Sequence, residues 1–134
     1  MQWQVLFLTA FDEDLRKLCK SHGMDAANVE RHIQEQFEDP FKAERIEKLL
    51  TSGVSTSAVD RLATSRFPPS IRLQIVQDLR VTAWCFPAQR QAVVTYIFHK
   101  SEDPNYKRAV ETHDSRLKGY VESLNEFIEK KRPK

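Results

Sequence analysis

Cysteine and glycine are scarce in this chain of 134 residues. Its two cysteines, Cys19 and Cys85, stand far apart and match no CxxC or Cys/His metal spacing, which points to buried, reduced thiols and a cytoplasmic location. The three glycines read as punctuation: Gly23 ends a helix, Gly53 sits in a loop and Gly119 divides the last helix. No apolar run approaches membrane-spanning length, and the start MQWQVLFLTA lacks the positive flank and apolar length of a signal peptide, so no membrane segment is expected. Repeats are absent, and the one biased tract is the basic tail with Lys130, Lys131, Arg132 and Lys134. What remains is a chain with 40% hydrophobic residues, enough for one packed domain over 1–134, with 131–134 expected as a disordered tail.

The net charge of +2 conceals an asymmetry. Residues 1–50 carry seven Lys/Arg against ten Asp/Glu, whereas residues 61–108 carry eight against three. The second stretch therefore offers a basic surface of the kind that suits a polyanion, or that merely keeps exposed sheet positions soluble.

The apolar pattern predicts the elements. Trp3 to Leu8 reads as a buried strand. Thr9 with Asp12 forms a capping-box pattern, and Phe11, Leu15, Leu18 and Cys19 follow at helical spacing. Asp25 caps a second helix with Val29, Ile33 and Phe37 on one face, which Asp39-Pro40 interrupts. Phe41, Ile46, Leu49 and Leu50 predict a short third helix, Thr51 to Ser57 a loop, and Val59 to Pro69 gives no clear element. From Ile71 the period becomes two. Ile71 to Ile75, Val81 to Phe86 and Ala92 to Phe98 form three strands on short connections, hence an antiparallel meander, with Gln77-Asp78 and Pro87 to Gln91 as turns. Asp103 as cap and Pro104 at the first helical position open a final helix with the stripe Val110, Leu117, Val121, Leu124 and Ile128. The fold class is α+β: a small antiparallel sheet, N-terminal helices packed on one face and an extended C-terminal helix.

Chemistry collects in LRVTAWCFPAQRQAVVTYIFHKSEDPNY, residues 79–106. Arg72 and Gln74 alternate with core residues and should project from the opposite sheet face, Arg80 opens the next strand, and His99 and Lys100 end the third. Tyr106 falls in the first turn of the last helix, where the N–H groups and the dipole attract anions, and Lys107 and Arg108 add charge beside it. Taken singly, each residue also has an ordinary structural role. Tyr106 can cap the sheet edge, Lys100 can be solvated, His99 can be half-buried and hydrogen-bonded, and Arg80 can fix the hairpin. His22, His32 and His113 have no partner at ligand spacing and read as surface or helix-packing residues.

In order and spacing this set resembles the RelE/ParE toxin superfamily, particularly its RelE and HigB-like branches. The shared pattern is an arginine opening one strand, an apolar strand ending in a turn, a second apolar strand closing on a basic pair, and a tyrosine entering the last helix. The resemblance is good over 71–110, extends to the N-terminal strand and helix pair, and fails over 51–70 and the long C-terminal helix. It implies a toxin of a type II toxin-antitoxin system: a ribosome-dependent endoribonuclease that cleaves mRNA without metal or other cofactor. The implied partners are mRNA on the ribosome and a cognate antitoxin, a small DNA-binding or helix-turn-helix protein. Carried over by position, His99, Lys100, Tyr106 and Arg80 are the catalytic candidates, and Arg72, Gln74, Lys107 and Arg108 the substrate-binding ones. Gln74 stands where ribonuclease members often have a cation, which leaves His99 as substitute base. In such a reaction the 2′-hydroxyl attacks the adjacent phosphate, so a base, cations for the phosphoryl oxygens and an acid for the leaving oxygen are required. Among the candidates a histidine is the side-chain type whose ordinary pKa lies nearest neutrality. The alternatives are a toxin of the same fold that acts by binding, as the gyrase-directed ParE branch does, or an inactive RNA-binding relative.

Overall fold

The computed structural model describes residues 2–131, without the side chains of Gln77 and 127–131. The expected tail therefore lies outside the described residues for 132–134, and so does the Ile128 side chain.

In chain order the elements are β1 (Gln4–Phe7), α1 (Thr9–His22), α2 (Ala26–Glu38), α3 (Pro40–Ser52), β2 (Val59–Arg61), β3 (Ser70–Gln74), β4 (Leu79–Phe86), β5 (Gln91–His99) and α4 (Lys107–Lys131). Single 3-10 turns at Val76–Asp78 and Lys100–Glu102 precede β4 and follow β5. The α+β expectation holds, with a sheet larger than the meander. Five strands run in the order β1-β5-β4-β3-β2, antiparallel except that β1 pairs parallel with β5. No helix among the described residues is long and apolar enough to cross a membrane.

Local chemistry explains the helix boundaries. Gly23 and Gly53 end α1 and α3 in left-handed conformation (φ 66° and 71°), which only glycine adopts freely. The Asp25 carboxylate accepts the Ala27 N–H at 3.2 Å, and that of Asp39 accepts the Phe41 and Lys42 N–H groups at 2.9 and 3.3 Å, with Pro40 opening α3. Thr9 is not a cap. Leu8 leaves the sheet in extended conformation, its N–H on the Val94 carbonyl at 3.2 Å, and α1 begins at Thr9 with no side-chain cap. Asp12 instead pairs with Arg16 at 3.2 Å.

One sheet face carries Ile71, Leu73, Leu79, Val81, Ala83, Cys85, Ala92, Val94 and Ile97. These pack with Phe11, Leu15, Val29, Ile33, Phe37, Ile46 and Leu49 of the three N-terminal helices. Trp3, just before β1, closes this core against Phe37 at 5.6 Å between ring centroids. β1 itself is not the buried strand that its apolar run implies. It lies at the sheet edge with alternate residues open, Leu6 being 45% exposed. Phe41 likewise falls outside the core.

α4 covers the opposite face, burying Ala109, His113 and Leu117 at four-residue spacing. Gly119 does not divide it. α4 also begins later than Pro104. The Tyr106 N–H bonds the Asp103 carbonyl at 3.2 Å in a turn, Tyr106 takes a left-handed φ of 58°, and Lys107 is the first helical residue. Asp103 still caps, accepting the Ala109 N–H on its carboxylate at 2.7 Å.

Candidate functional site

Side chains directly opposite each other in a ladder share a face. Arg72 lies opposite Thr82, Gln74 opposite Arg80, and Arg80 opposite Phe98, so Arg72 and Gln74 stand on the face that alternation predicts, the α4 side, and Arg80 joins them there. Both arginines are buried: Arg72 is 9% and Arg80 4% exposed. The Arg72 guanidinium donates from Nη1 to the Ser57 carbonyl at 3.1 Å, lies 3.9 Å from an Asp60 carboxylate oxygen, and sits 5.4 Å from the centre of the Tyr106 ring. That distance is within cation–π range. Tyr106 is in turn held edge-on by Phe98, 5.8 Å between centroids. Arg80 donates from Nη1 to the Leu79 carbonyl at 3.3 Å, while its buried Nε has no acceptor among the described residues. A buried cation with so little compensation is costly, and an anion reaching it would relieve that cost.

The helix start does not act as an open anion site, because the Asp103 carboxylate already accepts an N–H of the first turn. Tyr106 stands immediately before α4 rather than in its first turn, with Lys107 and Arg108 exposed beyond it. Lys100 is exposed at the start of the 3-10 turn.

His99 faces the other way. It lies opposite Leu79, which belongs to the core shared with the N-terminal helices, and its ring stacks on that of His22 of α1 at 4.9 Å and 8°. Its Nδ1 accepts the Ser101 N–H at 3.1 Å and lies 2.7 Å from the Ser101 hydroxyl, which leaves the neutral ring's proton on Nε2. Glu102 sits 3.8 Å from the His22 Nε2. The structure thus brings together Arg72, Gln74, Arg80 and Tyr106, and turns the His99 ring toward α1.

Between α4 and the sheet runs a polar network that the sequence did not reveal. His113, with no exposed surface, has Nδ1 2.6 Å from the Thr95 hydroxyl and Nε2 2.7 Å from that of Ser70. The Thr95 hydroxyl lies 2.7 Å from that of Thr82, and Ser70 donates to the Phe67 carbonyl. Because the Ser70 proton is committed there, Nε2 carries the ring proton and Nδ1 accepts from Thr95. Burial lowers the pKa of His113 to about 4, only partly opposed by the nearby Asp114 carboxylate. The available signal was polar Thr82 and Thr95 within apolar strands, and a histidine four residues after Ala109.

No family model matches the chain, and no curated protein matches it. Among solved structures it is similar to the solution structure of a conserved hypothetical protein, HP0892, from Helicobacter pylori. Identity is 14% and the TM-score 0.47, over 75% of this chain and 97% of that chain.

Proposed function

We propose that this protein is an RNA-directed toxin of the RelE/ParE type, a metal-independent endoribonuclease that cleaves mRNA on the ribosome and is held in check by an antitoxin. The observation that carries the reading is the pair of buried arginines on the α4 face, Arg72 against the Tyr106 ring and Arg80 with its Nε unpartnered among the described residues. Such a pair suits a phosphodiester whose oxygens gain charge during attack by the 2′-hydroxyl. Tyr106 supplies a ring to orient a base, and Lys100 with Lys107 and Arg108 supplies exposed charge at the rim. Proton transfer is assigned to His99, which stands on the opposite sheet face against His22, so this role requires the end of β5 to rearrange and not the ring alone to turn.

That orientation also favours a second reading. With His99 stacked on His22, the arginine face can bind without cutting, as a gyrase-directed or RNA-binding module of the same fold would. Primer-extension mapping of cellular mRNA after induction separates the two. The intact protein is expected to arrest growth and leave codon-phased cuts, and Lys100→Ala and Tyr106→Ala, both still folded, to leave neither. Arrest without cuts would replace the nuclease reading with the binding one. Full toxicity in both folded variants would remove these two residues from the site.

A further inference from the structure

A groove separate from the arginine pair runs between the 62–70 loop and the first three turns of α4. It is a cavity of about 570 Å³ whose walls include Arg66, Phe67, Lys107, Glu111, Asp114 and Lys118. The loop is fixed to the helix by Asp114, whose two carboxylate oxygens accept the Ser65 hydroxyl at 2.6 Å and the Arg66 N–H at 3.0 Å. Phe67 is half-buried and meets Trp84 edge-on, 5.4 Å between centroids and 70° between planes, an arrangement that leaves a ring face for stacking.

On the N-terminal helices Arg16 pairs with Asp12, Lys42 with Glu35 and Lys48 with Glu44, while Lys17 and Lys20 of α1 are unpaired among the described residues but lie outside this groove. Arg66, Lys107 and Lys118 make no ion pair among the described residues, and of the two carboxylates beside them Asp114 is already engaged by the loop. Residues 107, 111, 114 and 118 recur at helical spacing and form a line along α4. From Lys107 to Lys118 this line covers roughly 16 Å at about 1.5 Å per residue. A stacked strand advances about 3.4 Å per nucleotide, so the line matches roughly four or five nucleotides. Lys107 follows Tyr106 directly, which joins the groove to the arginine face.

We infer that this groove is a binding track for single-stranded RNA, in which Phe67 stacks a base and Arg66, Lys107 and Lys118 hold phosphates. The inference rests on the RNA-directed reading above. It concerns the 51–70 segment, where the resemblance to the toxin superfamily fails, and it gives that segment the task of extending the substrate contact beyond the reacting phosphate.

The test is fluorescence anisotropy of the full chain with an end-labelled ten-nucleotide single-stranded RNA over a range of salt. The proteins compared are the intact protein, Arg66→Glu/Lys118→Glu, and a control reversal on α1, Lys17→Glu/Lys20→Glu, each checked for fold by circular dichroism. The groove variant is expected to bind at least tenfold more weakly, and its log–log salt dependence to be shallower by about 1.4, two contacts at about 0.7 each. The α1 control should bind like the intact protein. Undiminished binding by the groove variant, or an equal loss in the control, overturns the groove while leaving the arginine face as the RNA site. Failure of the intact protein to bind RNA removes the RNA-directed reading and the groove with it.

Discussion

His113 makes folding stability depend on pH in a direction and range that can be stated beforehand. Its ring is fully buried and neutral, and burial holds its pKa at about 4 against an ordinary 6.5. Unfolding exposes the ring to water, so between these values the unfolded chain binds a proton that the folded one does not. Stability then rises with pH. The full contribution is present above pH 6.5 and is lost as the pH falls toward 4. The interval is worth about 3 kcal/mol, or about 1.4 kcal/mol per pH unit. Against a typical total of about 5–15 kcal/mol that is a large share. Urea unfolding at pH 7.5, 6.5, 5.75 and 5.0 measures it, the lower bound chosen to stay above most carboxylate titrations. In His113→Gln the amide retains a donor for Ser70 and an acceptor for Thr95, so the fold should survive with reduced stability at neutral pH. Its stability should fall less between pH 6.5 and 5.0 than that of the intact protein. His22, His32 and His99 are common to both proteins, so the difference between the two slopes isolates position 113. Equal slopes would refute the assignment, as would an NMR titration showing the His113 ring protonating near 6.5 in the folded state.

Two further outcomes follow from named contacts. Asp103→Ala leaves the buried Ala109 N–H without its acceptor, so it should cost about 0.5–2 kcal/mol and speed amide exchange in the first turn of α4, read by hydrogen exchange. Burial raises the pKa of both Cys19 and Cys85, so neither should react with a thiol reagent at pH 8 until urea unfolds the chain; fast reaction in the native state would refute this.

The two-residue period of β3 was legible because the strand buries one side only, and it placed Arg72 and Gln74 on the sheet face opposite the helical core, the face that α4 covers. The strong stop signals, Gly23, Asp25 and Asp39-Pro40, were legible because their chemistry is local. β2 was not, since three residues hold no period and the strand exists only by pairing with β3. Tyr106 was assigned to a helical turn because Asp-Pro is a common opening. The structure uses Asp103 as a cap from outside the helix and spends Pro104 in the turn, and no local signal distinguishes these. His113 was missed for a related reason: its burial depends on hydroxyls contributed by two distant strands, Ser70 of β3 and Thr95 of β5.

The ladder between β4 and β5 slips at Thr82/Ala83, where Tyr96 pairs with Thr82 and Val94 with Ala83, leaving Thr95 as an extra residue. That residue reverses the parity of everything after it. Uninterrupted alternation from Val94 would send Ile97 and His99 to the α4 side, next to Arg80, and Tyr96 and Phe98 into the helical core. With Thr95 inserted, Phe98 backs Tyr106 and His99 goes to α1. One residue in the middle of β5 therefore decides which side of the sheet owns the histidine, and a relative lacking it would present an imidazole to the two arginines without any change in the residues themselves.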